Sequence, residues 1–559
     1  MTHGRTDTSR RRLLVGLGGL GVAGLRTVGG PATATTVSAE SRVSSAPDDP
    51  FADADELEEF VETRIRRRLG DVTPGASVAV VKGDTPVLAE GYGTANTLTG
   101  TPVRADETAF RVGSVGKLVT WTAVVQGVER GVLDLDADVN TYLEDSAVTI
   151  PETYDEPVTL RHLGTHTAGF QSGLDPGVVA DPDALDPLEE LLADRRPPRE
   201  RPPGELVEYS NYGAALAGHV VAEAHDMTFE RYVRSELFEP LGMTHSTFAQ
   251  PVPDDFSGDL ASGHTDEGTS FTPADEVFIN MRPAGSTSAT ATDMAAFMSA
   301  HLGGGAVGDA RILAEESVRT MHDRHHVRHP AVTNWRYGFH EHGDPDANLV
   351  AHSGATVDFT SYLLLAPDHD VGIFVAYNVN GTEAPEVVVD ELVAEFGLQP
   401  SPTPPIPTAT PGGHERAATV AGEYGATYFP ETGPLQAVGL LAHLSVESAG
   451  EGRLRTETAG GEPRHWVETE PYVYREVGSH DVLAFEVRDD EVRALNVSSE
   501  PTGVYRPVPV RARQLTTAGV VGGSAAGFGA SLLGWGGLGA WRRLKRCDDS
   551  SERTTEESR

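Results

Sequence analysis

The stretch Phe110-Arg111-Val112-Gly113-Ser114-Val115-Gly116-Lys117-Leu118-Val119 sets a serine and a lysine three residues apart at the start of an apolar run. On a helix, residues at that spacing are neighbours on one face. A serine hydroxyl is a weak nucleophile and needs an adjacent base. A lysine serves once burial and a neighbouring cation lower its pKa, and a helix N-terminus adds positive potential at Ser114. Leu118, Val119, Trp121, Val124 and Val125 predict a buried helix over 114–128, which would desolvate Lys117. Two other readings fail. A phosphate-binding loop needs Gly and Ser/Thr where Arg111 and Leu118 stand. A nucleophile elbow needs Gly where Val112 stands.

Two further motifs follow in order. Tyr209-Ser210-Asn211 opens a predicted helix over 211–224. A tyrosine near cations gives up its proton more easily and acts as a base, and the Asn211 amide is suited to orienting a substrate carbonyl. His352-Ser353-Gly354 lies on a predicted strand, where Gly354 lets a substrate backbone approach closely. The Ala355 backbone N–H is a candidate to pair with that of Ser114 around a developing oxyanion.

Around these motifs the periodicity switches between strand and helix. A helix is expected over 52–69, from Leu57, Phe60, Val61 and Ile65. Strands are expected over 76–82 and 86–91 about Gly83-Asp84, and a hairpin over 361–377 turning at Pro367-Asp368-His369-Asp370. Helices are expected over 229–237, 292–301 and 383–396. Strands at both ends with helices between predict an α+β domain.

Ser-x-x-Lys, Tyr-x-Asn and His-x-Gly in this order resemble the penicillin-binding, class C β-lactamase-like serine hydrolases. Leu163-Gly164-Thr165-His166-Thr167-Ala168-Gly169-Phe170 and Pro283-Ala284-Gly285-Ser286 add to the resemblance, which covers 52–397. It implies an antiparallel sheet flanked by helices with a helical subdomain beside it, and the site between them. It implies an acyl-enzyme: Ser114 attacks an ester or amide carbonyl, Lys117 and Tyr209 shuttle protons, and no cofactor or metal takes part. Asn211, His352, Ser353, Gly354 and Ala355 are then the substrate and oxyanion residues. Where the family's third motif often begins with Lys, this chain has His352, which offers less charge to a substrate carboxylate. An esterase or D-amino-peptide peptidase is therefore expected ahead of a β-lactamase or DD-carboxypeptidase, with a silent binding protein of the same fold as the rival reading.

Composition bounds the setting. Lys+Arg number 44 against 83 Asp+Glu, a formal net charge of −39, and only Lys82, Lys117 and Lys545 are lysines. Such a surface repels phosphate backbones, so nucleic acid is not an expected partner. Apolar residues at 39% exclude acidic disorder. Dispersed acid with almost no lysine is the pattern of a high-salt, haloarchaeal protein. The single cysteine, Cys547, excludes intrachain disulfides and thiolate zinc. The histidines at 162 and 166, at 322, 325, 326 and 329, and at 340 and 342 lack the convergent pattern of a zinc site; the 322–329 run reads as an exposed loop.

Seven units are expected. Residues 1–34 resemble a twin-arginine export signal, with Arg10-Arg11-Arg12 before an apolar run too short to span a bilayer. A linker covers 35–51, and the hydrolase domain 52–397. Within it, 173–204 reads as an irregular segment, either a lid or a surface insertion. A Pro-rich linker covers 398–416. The small β domain at 417–508 resembles the barrel appendage of some of these hydrolases, with Gly422-Glu423-Tyr424 and Val467-Glu468. Uncharged residues 516–541 are long enough for a transmembrane helix. Arg542-Arg543-Leu544-Lys545-Arg546 would hold the 542–559 tail in the cytoplasm and leave the hydrolase outside.

Overall fold

Apolar strands with alternating side chains build the central sheet. In Gly75–Lys82, Ala79 and Val81 enter one core while Val78 and Val80 enter another. Thr360–Ala366 and Val371–Tyr377 divide the same way: Leu363, Leu365, Phe374 and Ala376 go to the first core, and Leu364, Ile373, Val375 and Tyr377 to the second. Both faces are covered, which is why these strands read as unbroken apolar runs. Each fully buried Val or Leu contributes about 1.5–3 kcal/mol.

The computed structural model describes residues 50–508 apart from 52, 173–176, 254–255, 382, 400–407, 428, 430–442 and 459–460. The sheet has seven strands in the order His340–Glu341, Val350–Ala355, Thr360–Ala366, Val371–Tyr377, Gly75–Lys82, Thr85–Asn96 and Thr101–Pro102. Every pair is antiparallel. Val78 opposite Val375 joins the N-terminal hairpin to the C-terminal one. Helices Ala54–Arg66 and Glu386–Glu395 cover the second core. Asp53 caps the former, accepting from the Asp55 and Glu56 N–H groups at 3.0 and 3.3 Å. Arg68, just past that helix, pairs with Glu383 and with Glu391 on the other. The first core continues through Ala291–Leu302 into the helical subdomain built on Lys117–Glu129 and Asn211–His225.

The C-terminal unit is a closed barrel of eight antiparallel strands running from Gly422–Ala426 to Tyr505–Pro507. It closes where Tyr424 pairs with Pro507. Closure removes the exposed edges of an open sheet. Tyr424, Leu454, Trp466, Tyr474, Phe485 and Leu495 fill its interior, so it is a packed core.

The structure corrects four local expectations. The helix over 114–128 begins as a 3-10 turn, Gly113–Gly116, and becomes an α-helix only at Lys117–Glu129. The helix over 229–237 is α over Phe229–Val233 and π over Arg234–Phe238. The 173–204 segment is not irregular throughout: helix Leu188–Asp194 buries Leu188, Leu191 and Leu192 in the main core. The 322–329 run is no free loop, because Arg328 is buried and the four histidines are half-buried. Among the described residues no helix is long and apolar enough to cross a membrane; the signal at 1–34 and the segment at 516–541 lie outside them.

Candidate active site

The nucleophile turn is held by strands on both sides. Thr108–Arg111 pairs with Ser288–Ala289, and the Val112 N–H donates to the Thr287 carbonyl at 2.9 Å. On the other side Ser361 Oγ donates to the Val112 carbonyl at 2.7 Å. Gly113 then reverses the chain with φ +53, where a Cβ would sit 2.7 Å from the Ala355 nitrogen. This close approach brings the Ala355 N–H beside the Ser114 turn, as an oxyanion pair requires.

In a 3-10 turn, side chains three residues apart eclipse. Lys117 Nζ accordingly lies 2.8 Å from Ser114 Oγ and donates to it. It also donates to the Ala284 carbonyl at 2.5 Å, which gives the Pro283-Ala284-Gly285-Ser286 segment its place. The Lys117 side chain is fully buried, while Ser114 stays partly exposed. An amine out of contact with water is more easily deprotonated.

The Tyr209 ring lies 5.0 Å from Lys117 Nζ. It precedes helix Asn211–His225, capped by Ser210 Oγ accepting from the Gly213 N–H at 3.0 Å. Asn211 opens that helix, two residues from Tyr209, and is partly exposed. His352, Ser353, Gly354 and Ala355 end the strand Val350–Ala355. Ser114, Lys117, Tyr209, His352 and Ala355 are thus neighbours in a chain of contacts, with Ser353 and Gly354 in the same strand as the last two.

His352 is buried, with its ring 6.1 Å from that of Tyr209. Its Nδ1–H donates to the Ser353 carbonyl at 2.7 Å, which leaves the Nε2 lone pair free to accept. Nε2 has no partner among the described residues. Burial, then the neighbouring Lys117, hold this imidazole well below its ordinary pKa, so it is neutral.

Two residues beside Tyr209 were not among the site candidates. His166 is buried with its ring 4.3 Å from the Tyr209 ring, and Trp335 is buried 4.6 Å from His166. His166 Nδ1 accepts the Ser210 N–H at 3.2 Å, and burial holds it well below its ordinary pKa. The Leu163–Phe170 segment was visible as framework, but nothing in it marks His166 as a neighbour of Tyr209. Among the described residues no group of three or more His, Cys, Asp or Glu is placed to hold a metal.

The buried histidines make stability acid-sensitive. Burial pushes His340, behind His352, down to about 4. A folded pKa below the unfolded value means that the unfolded chain takes up the proton first. Stability is then complete above about pH 6.5 and falls as pH drops towards about 4. At pH 5 His340 alone costs about 2 kcal/mol. The thermal midpoint at constant salt should drop between pH 7.5 and 5, and a flat profile across that window would refute this.

The beta-lactamase family pattern matches residues 61–398. Penicillin-binding protein 4 of Amycolatopsis lactamdurans is 30% identical over 390 residues, 67% of this chain and 98% of that protein. Protein flp of Staphylococcus aureus (strain N315) is 25% identical over 56% of this chain and 61% of its own length. Among solved structures, the octameric penicillin-binding protein homologue from Pyrococcus abyssi aligns over 81% of this chain and 100% of its own, with TM-score 0.53 and 23% identity. SurE aligns over 81% and 99%, with TM-score 0.56 and 22% identity. Both likenesses reach beyond the hydrolase domain and bear on the fold. Serine and lysine on one turn, a tyrosine over the lysine and a glycine-bearing strand at the nucleophile are the framework on which this chain belongs to the beta-lactamase family of serine hydrolases.

Proposed function

We propose that this protein is an exported, membrane-anchored hydrolase of esters or D-amino-acid peptides, working through an acyl-enzyme on Ser114. The observation that carries the reading is Lys117 Nζ, buried and 2.8 Å from Ser114 Oγ. Ser114 Oγ attacks the substrate carbonyl, and its proton passes to Lys117 and Tyr209. The same pair returns a proton to the leaving alcohol or amine as the acyl bond breaks. Water, activated by Tyr209, then attacks the acyl-enzyme and releases the acid. The Ser114 and Ala355 N–H groups hold the oxyanion at each stage.

His352 supports the substrate class. A buried, neutral imidazole at this position gives no positive charge to a substrate carboxylate. SurE has also been solved with D-Leu, which puts D-amino acid amides on the substrate panel beside short-chain esters. The identity to a penicillin-binding protein favours a second reading, β-lactam or DD-carboxypeptidase chemistry, and a chromogenic cephalosporin on the same panel separates the two. The charge of −39, the three lysines, the paired arginines at the N-terminus and the uncharged segment at 516–541 support a haloarchaeal, outward-facing setting.

One experiment tests enzyme and topology together. A membrane-impermeant fluorophosphonate added to intact cells in high salt should label the wild type and not Ser114→Ala. No labelling of the wild type, or equal labelling of the variant, would sink the enzyme reading. Labelling only after lysis would reject the outward placement.

A further inference from the structure

The barrel does not only sit beside the hydrolase domain. Its segment 497–504 reaches the backbone of the proton-shuttling tyrosine. The Tyr209 N–H donates to the Thr502 carbonyl at 3.1 Å. Two residues earlier, the Val207 carbonyl accepts from Thr427 Oγ1 at 3.0 Å. Thr427 is buried on the barrel side, and its Oγ1 also accepts the Val504 N–H at 3.0 Å. One hydroxyl therefore joins the segment that carries Thr502 to the segment that carries Tyr209.

The hydrolase domain grips the same segment. Trp335 Nε1–H donates to the Pro501 carbonyl at 2.7 Å. Buried Arg328 donates to the carbonyls of Glu500 and Gly503 at 2.9 and 3.0 Å. Thr333 Oγ1 donates to the Ser498 carbonyl at 2.5 Å. Val207, Trp335, Ala494 and Val504 close an apolar contact with Tyr209 packed against it. Apart from Thr427 Oγ1, these acceptors are backbone carbonyls, so the contact fixes the path of the segment. The Trp335 ring in turn lies against His166, which lies against Tyr209.

We propose that the barrel is a working part of the active site, in which Thr427 and the 497–504 segment position Tyr209 for proton transfer. The proposal rests on the serine-hydrolase reading and adds Thr427 and Trp335 as positioning residues. Neither touches the reacting atoms. Their effect should fall on kcat, because a general base works only within hydrogen-bond reach of the proton it takes.

The test uses the full chain. Thr427→Val keeps the shape and removes both hydroxyl hydrogen bonds. Thr427→Ser restores the hydroxyl. Trp335→Phe removes the bond to Pro501 and keeps an aromatic ring. Activity is expressed as kcat per site titrated with the fluorophosphonate, which counts only folded, competent sites. Thr427→Val and Trp335→Phe should each lose roughly tenfold to a hundredfold in kcat per site with KM within about twofold, and Thr427→Ser should recover most of the loss. A purely structural contact would lower the number of titratable sites and the thermal midpoint, with kcat per site within about twofold of wild type. That outcome in both variants overturns the proposal. Wild-type turnover that survives Ser114→Ala overturns the serine-hydrolase reading itself, and is read separately from the barrel variants.

Discussion

Lys117→Ala lowers the rate of Ser114 acylation by about three orders of magnitude. The variant leaves the nucleophile in place and removes the amine 2.8 Å from its hydroxyl. Lys117→Arg should fare no better, although it keeps the positive charge. A guanidinium is always protonated and cannot accept the serine proton. It is also too large for a site enclosed by the Ala284 carbonyl and the Tyr209 ring. The pair of variants separates a base from a fixed charge: an arginine variant with near wild-type rate would assign Lys117 an electrostatic role. Single-turnover acylation with a chromogenic ester reads the step directly. A loss under about tenfold in Lys117→Ala rejects the base assignment.

Gly354→Ala should be the second large effect, because a single methyl has nowhere to go. A Cβ at this position would lie 2.1 Å from the Val112 carbonyl oxygen and 2.3 Å from Ser361 Oγ. Neither neighbour can yield alone. Ser361 Oγ donates to that carbonyl, and the Val112 N–H is tied to Thr287. Relief requires the strand Val350–Ala355 to part from the Ser114 turn, which moves the Ala355 N–H away from the proposed oxyanion position. Overpacking of this kind costs about 1–3 kcal/mol in stability. Loss of an oxyanion donor costs about a hundredfold or more in kcat. Thermal unfolding and steady-state kinetics on the purified variant read both, and a variant equal to wild type in both would show that the strand and the turn are not in contact.

The three residues proposed as catalytic could be picked out because each stands in a local pattern. Ser114 and Lys117 lie in one turn, and Tyr209 stands immediately before a capped helix. The sheet was legible from apolar runs bounded by turn residues, as at Pro367–His369 between two strands. The 3-10 form of the nucleophile turn was not, because it depends on Gly113 being pressed against Ala355, far along the chain. The half-burial of His322 and His326 escaped for the same reason. A charged, histidine-rich stretch looks solvated until Arg328 within it is found bonded to the carbonyls of Glu500 and Gly503. The packed helix Leu188–Asp194 was hidden by the proline and aspartate around it.

By itself the sequence determined which residues are candidates for the chemistry. Three-residue spacing at a predicted helix start puts a serine and a lysine on one face once the turn forms. Only the tertiary structure decided how that chemistry is held. The neutral state of His352 follows from its burial beside Lys117, which outweighs the opposing pull of the Ser353 carbonyl on its Nδ1–H. The surroundings of Tyr209 come from His166, Trp335 and, across the domain boundary, Thr427 and Thr502. These contacts join residues far apart in the chain, so they exist only once the sheet, the helical subdomain and the barrel have packed together.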